Sequence, residues 1–139
     1  MPLITIDLRT GSTVAQRRAI SDGIHAAMVE VLGIPSDDQF HVFHEHDETT
    51  MIYQPVSFGR VRTDRFMFIQ LCFNERSDEL KQRLFSAIVA ELRQRVQVTE
   101  DDIALVVLET GRANWWASGR VVNPATGYDE RMSQERVGS

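Results

Sequence analysis

Hydrophobic and polar residues follow the same order twice along the chain. Each time, a short apolar run is followed by a longer segment with an apolar residue every three or four positions, and then by a second apolar run. The runs at 2–8, 40–45, 66–73 and 103–108 predict four strands. The segments inside each pair of runs predict two amphipathic helices.

Capping residues mark the ends of both predicted helices. Thr13, with Gln16 three residues later, forms a capping box for the first helix, which ends before Gly33. Ser77 is the N-cap of the second helix. The stripes predicted to be buried are Ile20, Ile24, Ala27, Met28 and Val31 on the first helix, and Leu84, Ile88, Leu92 and Val96 on the second.

An internal repeat relates the two halves of the chain. A shift of 64 positions maps 34–38 (IPSDD) onto 98–102 (VTEDD), and it maps the cap Thr13 onto the cap Ser77. Identity is low, but apolar and capping positions coincide. We interpret the halves as one supersecondary unit used twice.

The repeat predicts a single α/β (α+β) domain over 1–139, with βαβ units at 2–45 and 66–109. Parallel pairing within each unit gives a four-stranded mixed sheet with both helices on one face. The other face would expose valine, isoleucine and phenylalanine side chains, so we expect an oligomer that covers it. The C-terminal segment, 110–139, is polar from Gly127 onward and is expected to pack loosely.

Composition narrows the class of protein. The net charge of −5 and the lack of a Lys- or Arg-rich block argue against nucleic-acid and membrane partners. Cys72 is the single cysteine and has no partner for an internal disulfide. With no recognisable signal peptide or membrane span, we expect a cytoplasmic protein.

Pro2 is the first candidate for chemistry. A small residue behind the initiator normally allows Met1 to be removed, which would leave a secondary amine at the head of an apolar strand. The reference pKa of an α-amine is about 7.7–8.0, far nearer neutrality than that of lysine. Apolar surroundings lower it further, toward the range of a general base.

A histidine-rich stretch at 41–47 (HVFHEHD) is the second cluster. His44 and His46 share one face of a strand, at a spacing compatible with a metal ligand pair. The stretch lies at a strand end and lacks distant cysteine partners, so we interpret it as ordinary polarity and predict no metal site.

Several short motifs occur in a recognisable order: Pro2-Leu3, Pro35-Ser36-Asp37-Asp38-Gln39-Phe40, Met51-Ile52, Phe58-Gly59-Arg60, Asn74-Glu75-Arg76-Ser77 and Ala113-Asn114-Trp115. With them, the chain resembles the tautomerase superfamily, and most closely its malonate semialdehyde decarboxylase branch. The resemblance implies a homotrimer with a tautomerase-like fold and one active site per subunit around the amino-terminal proline. It also implies enol–keto transfer, decarboxylation or hydration of small carboxylates, without metal or organic cofactor.

The resemblance assigns roles to three residues. Pro2 would move a proton, and Asp38 would act beside it, with its neighbour Asp37 as the alternative. Arg76 precedes the N-cap of the second helix, so its guanidinium would hold a substrate carboxylate where the helix dipole already favours an anion.

The chain departs from its relatives at Asn74, where the decarboxylases carry a first arginine. An amide in place of a cation should weaken carboxylate binding and carbonyl polarisation, which puts efficient decarboxylation of malonate semialdehyde in doubt. Asn74 is still expected to contact the substrate, through its amide group. Arg60, Arg62 or Arg65, in the middle loop, could supply the missing charge.

Aromatic residues complete the expected site. Trp115 would form an apolar wall, with Trp116 and Phe58 as weaker candidates. His25 is left out, because Ile24 aligns better with the helix histidine of the hydratase branch.

These observations favour a tautomerase that acts on a small 2-oxo carboxylate and needs no cofactor. Malonate semialdehyde decarboxylase or hydratase-like activity is the enzymatic alternative. A non-catalytic ferredoxin-like binding module is the alternative from another class, because a duplicated βαβ sheet also serves proteins without catalysis.

Overall fold

The computed structural model describes residues 2–117 and 119–121. Met1 and the tail beyond Gly127, with the predictions made for them, lie outside the described residues. The strands are β1 (Leu3–Arg9), β2 (His41–His46), β3 (Val56–Ser57), β4 (Arg60–Val61), β5 (Met67–Asn74), β6 (Ile103–Thr110), β7 (Trp116–Ala117) and β8 (Arg120–Val121). The helices are α1 (Val14–Leu32) and α2 (Asp78–Val96), with 3-10 turns at Glu100–Asp102 and Arg112–Asn114.

Four strands form one mixed sheet in the order β2–β1–β5–β6. β1 is parallel to β2, β5 is parallel to β6, and the two central strands β1 and β5 are antiparallel. α1 joins the first parallel pair and α2 joins the second, so each half is the predicted βαβ unit. The predicted fold class is confirmed, and β6 continues two residues beyond its predicted end.

The predicted helix caps are present. In the capping box of α1, the Gln16 N–H donates to Thr13 Oγ1 (3.1 Å) and the Thr13 N–H donates to Gln16 Oε1 (2.9 Å). Ser77 Oγ accepts from the Leu80 N–H at the start of α2 (3.2 Å). Neither helix in the described part is long and apolar enough to cross a membrane.

The core lies between the sheet and the two helices, which pack on the same face and against each other. All predicted stripe residues are buried except Val31, which is partly exposed and packs against the core. The largest fully buried side chains come from both helices and both central strands: Ile4, Ile6, Ile24, Met28, Ile69, Leu71, Leu84, Ile88 and Leu92.

The sheet face opposite the helices is open. It exposes Phe68 (37%) and Leu108 (49%), with Thr5, Asp7 and Gln70 among its polar side chains. The expectation of exposed isoleucines on this face is wrong, because the isoleucines of β1 and β5 point toward the helices and are buried. Exposed apolar side chains remain on the face, as predicted.

The repeat places a left-handed residue after each helix: Gly33 (φ 68°) follows α1 and Gln97 (φ 51°) follows α2. A Cβ at Gly33 would meet no atom within 4 Å, so a side chain there would cost backbone strain only. We expect Gly33→Gln to lower the free energy of unfolding by about 1 kcal/mol, and Gln97→Gly to raise it by up to about 1 kcal/mol. Urea unfolding at one fixed protein concentration measures both. A loss of stability in Gln97→Gly would contradict the strain argument.

Candidate active site

Three chain segments meet at one end of the sheet. Pro2 is buried directly before β1. Leu3 pairs with Cys72 on antiparallel β5, so the start of β1 lies beside the end of β5. The Ile4 N–H donates to the Phe40 carbonyl (3.1 Å), which brings the chain ahead of β2 to the same end. The segments that carry Pro2, Asp38 and Arg76 therefore converge, as the resemblance implied.

The internal repeat, which pairs Asp38 with Asp102, indicates that Asp38 lies near the start of the chain. Its counterpart Asp102 accepts hydrogen bonds from the N–H and Oγ1 of Thr63 (2.7 and 2.6 Å), in the segment just ahead of β5. The equivalent segment for Asp38 is the one ahead of β1. Burial raises the pKa of Asp38, and the positive charge of the amino terminus is the largest influence that lowers it. Asp37, the alternative, is exposed in the turn.

His25, which the sequence analysis left out of the site, contacts the turn that carries Asp38. Its Nε2 lies 2.7 Å from the Ser36 carbonyl, and because a carbonyl only accepts, this nitrogen carries the hydrogen. The charge of His25 also lowers the pKa of Asp38, although burial has the larger effect. The signal in the sequence is a polar position on α1, four residues from Ser21, on the edge that borders the turn.

A second set of contacts ties the same turn to α1. Gln39 Nε2 donates to Ser21 Oγ (3.0 Å), and Ser21 Oγ lies 2.7 Å from Nδ1 of His41. Burial, and next the neighbouring His25, lower the pKa of His41 to about 4. The ring of His41 is therefore neutral at physiological pH. The contacts among Gln39, Ser21 and His41 thus hold the turn without adding a positive charge beside Asp38.

Arg76 lies where β5 passes into α2. Its backbone N–H donates to Glu109 Oε2 (2.8 Å), and its Nη1 donates to the carbonyls of Asn74 (3.1 Å) and Glu75 (3.0 Å). Lys81 donates to the other oxygen of Glu109 (2.7 Å). Hydrogen bonds from Lys81, and next from the Arg76 N–H, lower the pKa of Glu109. The guanidinium of Arg76 is fixed by neutral carbonyls, so its charge stays available to an anion.

Two predicted residues, Asn74 and Trp115, contact each other. Trp115 Nε1 donates to Asn74 Oδ1 (2.9 Å), and Asn74 is 7% exposed. The amide that stands where relatives have an arginine thus holds the half-buried indole at the end of β5. Direct contact of Asn74 with substrate stays a prediction.

The other aromatic candidates lie elsewhere. Phe58 is 98% exposed on the β3–β4 hairpin, whose Arg60 binds Asp101 (2.7 Å) at the start of β6, the opposite end of the sheet from Pro2. Trp116 follows Trp115 but is 69% exposed.

The middle-loop arginines do not replace the missing charge within one subunit. Arg60 is bound to Asp101, Arg62 stacks over the Phe66 ring (4.8 Å), and Arg65 donates to carbonyls at the end of α2. All three lie at the far end of the sheet, because the loop enters β5 at its first residue. Within a single subunit, none of the three therefore supplies the charge that is missing at Asn74.

An open cleft of about 760 Å³ lies between the ends of β5 and β6. Its lining residues come from the two strand ends and the turns that follow them: Asn74, Glu75, Arg76, Ser77, Glu109, Thr110, Gly111 and Arg112. Arg112 was not expected. Its position could have been found from the parallel pairing of β5 with β6, which brings the residues after both strands to one edge.

The histidine stretch is divided between the two faces of the sheet. His44 and His46 contact Asp7 on the open face (3.4 and 2.7 Å), whereas His41 points toward α1. Among the described residues, no three His, Cys, Asp or Glu side chains are grouped to hold a metal ion.

Two family models, both described as tautomerase enzyme, match the sequence. One covers residues 38–117, more than half of the chain, and the other covers residues 2–60. The chain belongs to the tautomerase family. The superfamily predicted from Pro2 and the repeated units is therefore confirmed.

Relatives of this tautomerase include YrdN, a probable tautomerase of Bacillus subtilis (strain 168). It is 26% identical over 115 residues, which are 83% of this chain and 89% of YrdN. The structure of FG41 malonate semialdehyde decarboxylase inhibited by 3-bromopropiolate is 34% identical, with a TM-score of 0.77 over 85% of this chain and 89% of that one. A fused 4-OT symmetric trimer, 18% identical, shares the fold with a TM-score of 0.72 over 89% of this chain and 98% of that one.

The raised pKa of Asp38 predicts how its replacement changes stability with pH. Because the folded pKa lies above the unfolded one, the ionised carboxylate destabilises the fold at neutral pH, and this cost disappears below the unfolded pKa. We expect Asp38→Asn to melt above the wild type at pH 7 and at the same temperature near pH 3. Asp37→Asn, an exposed control in the same turn, should change less at pH 7. Equal melting of Asp38→Asn and wild type at pH 7 would contradict a desolvated Asp38.

Proposed function

We propose that this tautomerase interconverts the enol and keto forms of a small 2-oxo carboxylate, with the amine of an unblocked Pro2 as acid and base. The observation that carries the proposal is the burial of Pro2 at the head of β1, at the sheet end shared with Asp38 and Arg76, in a member of the tautomerase family. The reaction is a proton transfer, and every group it needs belongs to the chain, so no cofactor is required.

The proposed reaction moves one proton from oxygen to carbon. The neutral amine of Pro2 accepts the hydroxyl proton of the enol as the carbonyl forms, and the resulting ammonium delivers a proton to C3. A secondary amine with a pKa near neutrality exists in both states at physiological pH, as a group that accepts and donates must. Met1 has to be removed first, because an amide nitrogen at Pro2 carries no basic electron pair.

The neighbouring residues position the substrate and tune the amine. Arg76 holds the substrate carboxylate, supported by its place before Ser77 at the N-terminal end of α2. Asp38 stabilises the ammonium form of Pro2. Trp115, held by Asn74, excludes water at the end of β5.

Decarboxylation of malonate semialdehyde is the second candidate, favoured by the 34% identity to FG41 malonate semialdehyde decarboxylase. Asn74 argues against it, because its side-chain oxygen accepts from Trp115 and it carries no charge. Incubation with malonate semialdehyde separates the two activities, since decarboxylation releases carbon dioxide and tautomerisation does not. If neither reaction occurs and the processed amine is dispensable, the binding-module alternative gains support.

Replacement of Pro2 tests the proposed base. Pro2→Ala leaves a primary amine, and we expect ketonisation of phenylpyruvate enol to slow by about 100-fold or more. Retaining one extra residue ahead of Pro2 keeps every side chain and blocks the amine, and it should abolish turnover. Pro55→Ala, at an exposed proline, is the matched control. Intact mass must show that wild-type protein has lost Met1. Undiminished turnover by the blocked protein would overturn the mechanism.

We also propose that the enzyme is a homotrimer and that it is cytoplasmic. The trimer is supported by the exposed Phe68 and Leu108 on the open sheet face and by trimeric proteins of the same fold. We expect light scattering to give three times the 15.9 kDa subunit mass. Leu108→Asp places a charge on that face and should yield monomers. Val14→Asp, at an equally apolar position that is 74% exposed at the start of α1, should leave the trimer intact. A monomeric wild type at micromolar concentration would contradict the assembly.

A further inference from the structure

The cleft beside Arg76 contains a second guanidinium. β5 and β6 are parallel neighbours, and their last paired residues are Asn74 and Thr110. Arg76 and Arg112 each lie two residues beyond that pair, in the turns that follow the two neighbouring strands. Both line the same cleft.

The backbone that carries Arg112 is fixed by the contacts that hold Trp115. The Asn114 N–H donates to the Gly111 carbonyl (3.0 Å), and Asn114 Nδ2 donates to Thr110 Oγ1 (2.8 Å), closing the turn around Arg112. The next residue, Trp115, is bound to Asn74 (2.9 Å). Arg112 therefore projects from a turn that is tied at both ends to the sheet.

The cleft is lined by two arginines, Arg76 and Arg112, and by two glutamates, Glu75 and Glu109. The carboxylate of Glu109 accepts hydrogen bonds from Lys81, which also binds Asp78, and from the backbone N–H of Arg76. Glu75 is exposed. The Nη1 atom of Arg76 donates to neutral backbone carbonyls, so the two arginines bring positive charge to a cleft in which Glu109 already has hydrogen-bond partners.

We propose that Arg112 is a second ligand of the substrate carboxylate, which it binds together with Arg76. The inference rests on the proposed function for the choice of substrate, a small 2-oxo carboxylate. Asn74 is uncharged and bound to Trp115, so β5 contributes one cation at this end of the sheet and the turn after β6 contributes the other.

The test is equilibrium binding of phenylacetate, an unreactive carboxylate, compared with phenylacetamide, its uncharged counterpart. Arg112→Gln should weaken phenylacetate binding about tenfold and leave phenylacetamide binding unchanged. Arg112→Lys should recover part of the loss, because it restores the charge but not the planar fork. Arg83→Gln is the control, since it removes the same charge from an exposed position of α2 outside the cleft.

Kinetics separate this inference from the proposed reaction. Arg112→Gln should raise KM for phenylpyruvate enol about tenfold with little change in kcat, whereas Pro2→Ala lowers kcat. If no variant or wild type turns over the enol but phenylacetate binding depends on Arg112, the proposed function fails and the carboxylate site stands. Unchanged phenylacetate affinity in Arg112→Gln, or wild-type affinity for phenylacetate no greater than for phenylacetamide, overturns the inference.

Discussion

The antiparallel pairing of β1 with β5 is the constraint on which the rest of the molecule depends. It joins two parallel βαβ units in opposite directions, so the first residue of one central strand lies beside the last residue of the other. If these strands were parallel, Pro2 would lie beside Met67 and the middle loop, among residues already engaged with Asp101 and the end of α2. The observed pairing instead gives Pro2 the end of β5 and the turn into α2, where backbone N–H groups and Arg76 can meet an anion.

The repeat shows how one scaffold position serves structure in one half and the candidate site in the other. Asp102 is 4% exposed, and both of its carboxylate oxygens accept hydrogen bonds from Thr63, which fixes the loop ahead of β5. Asp38 occupies the same position in the first unit. The segment ahead of its neighbouring strand β1 is the start of the chain, not a loop. A carboxylate that anchors a loop in one unit therefore faces the amino terminus in the other.

The sequence predicted what depends on local spacing. The caps at Thr13 and Ser77, the helix stripes and the two βαβ units follow from short-range patterns, and they are present. The face of a nearly continuous apolar strand such as β5 does not follow, because the run lacks the alternation that separates its two sides, and Ile69 was misplaced for that reason. In β1 the alternation of Ile4, Thr5, Ile6 and Asp7 was present in the sequence and does place its isoleucines on one face.

The sequence identified individual candidate residues of the site, but it did not predict which of them contact each other. Pro2, Asp38, Asn74, Arg76 and Trp115 were each named, but the bond between Asn74 and Trp115 depends on the register of β5 with β6, which no local signal encodes. The same register brings in Arg112, and the anchoring of the middle loop removes the arginines that had been considered there.

Burial at this end of the sheet acts in one direction on every group that it reaches. It raises the pKa of Asp38 and lowers that of His41 to about 4, so each group is held toward its neutral form. In water a carboxyl and an α-amine differ by about 4 pKa units, and in the proposed mechanism the same desolvation lowers the pKa of the Pro2 amine. In that mechanism the amine thereby comes closer to the range in which it both accepts a proton from the substrate and returns one. In the proposed mechanism, the burial that costs stability at Asp38 is therefore the same burial that tunes the amine of Pro2.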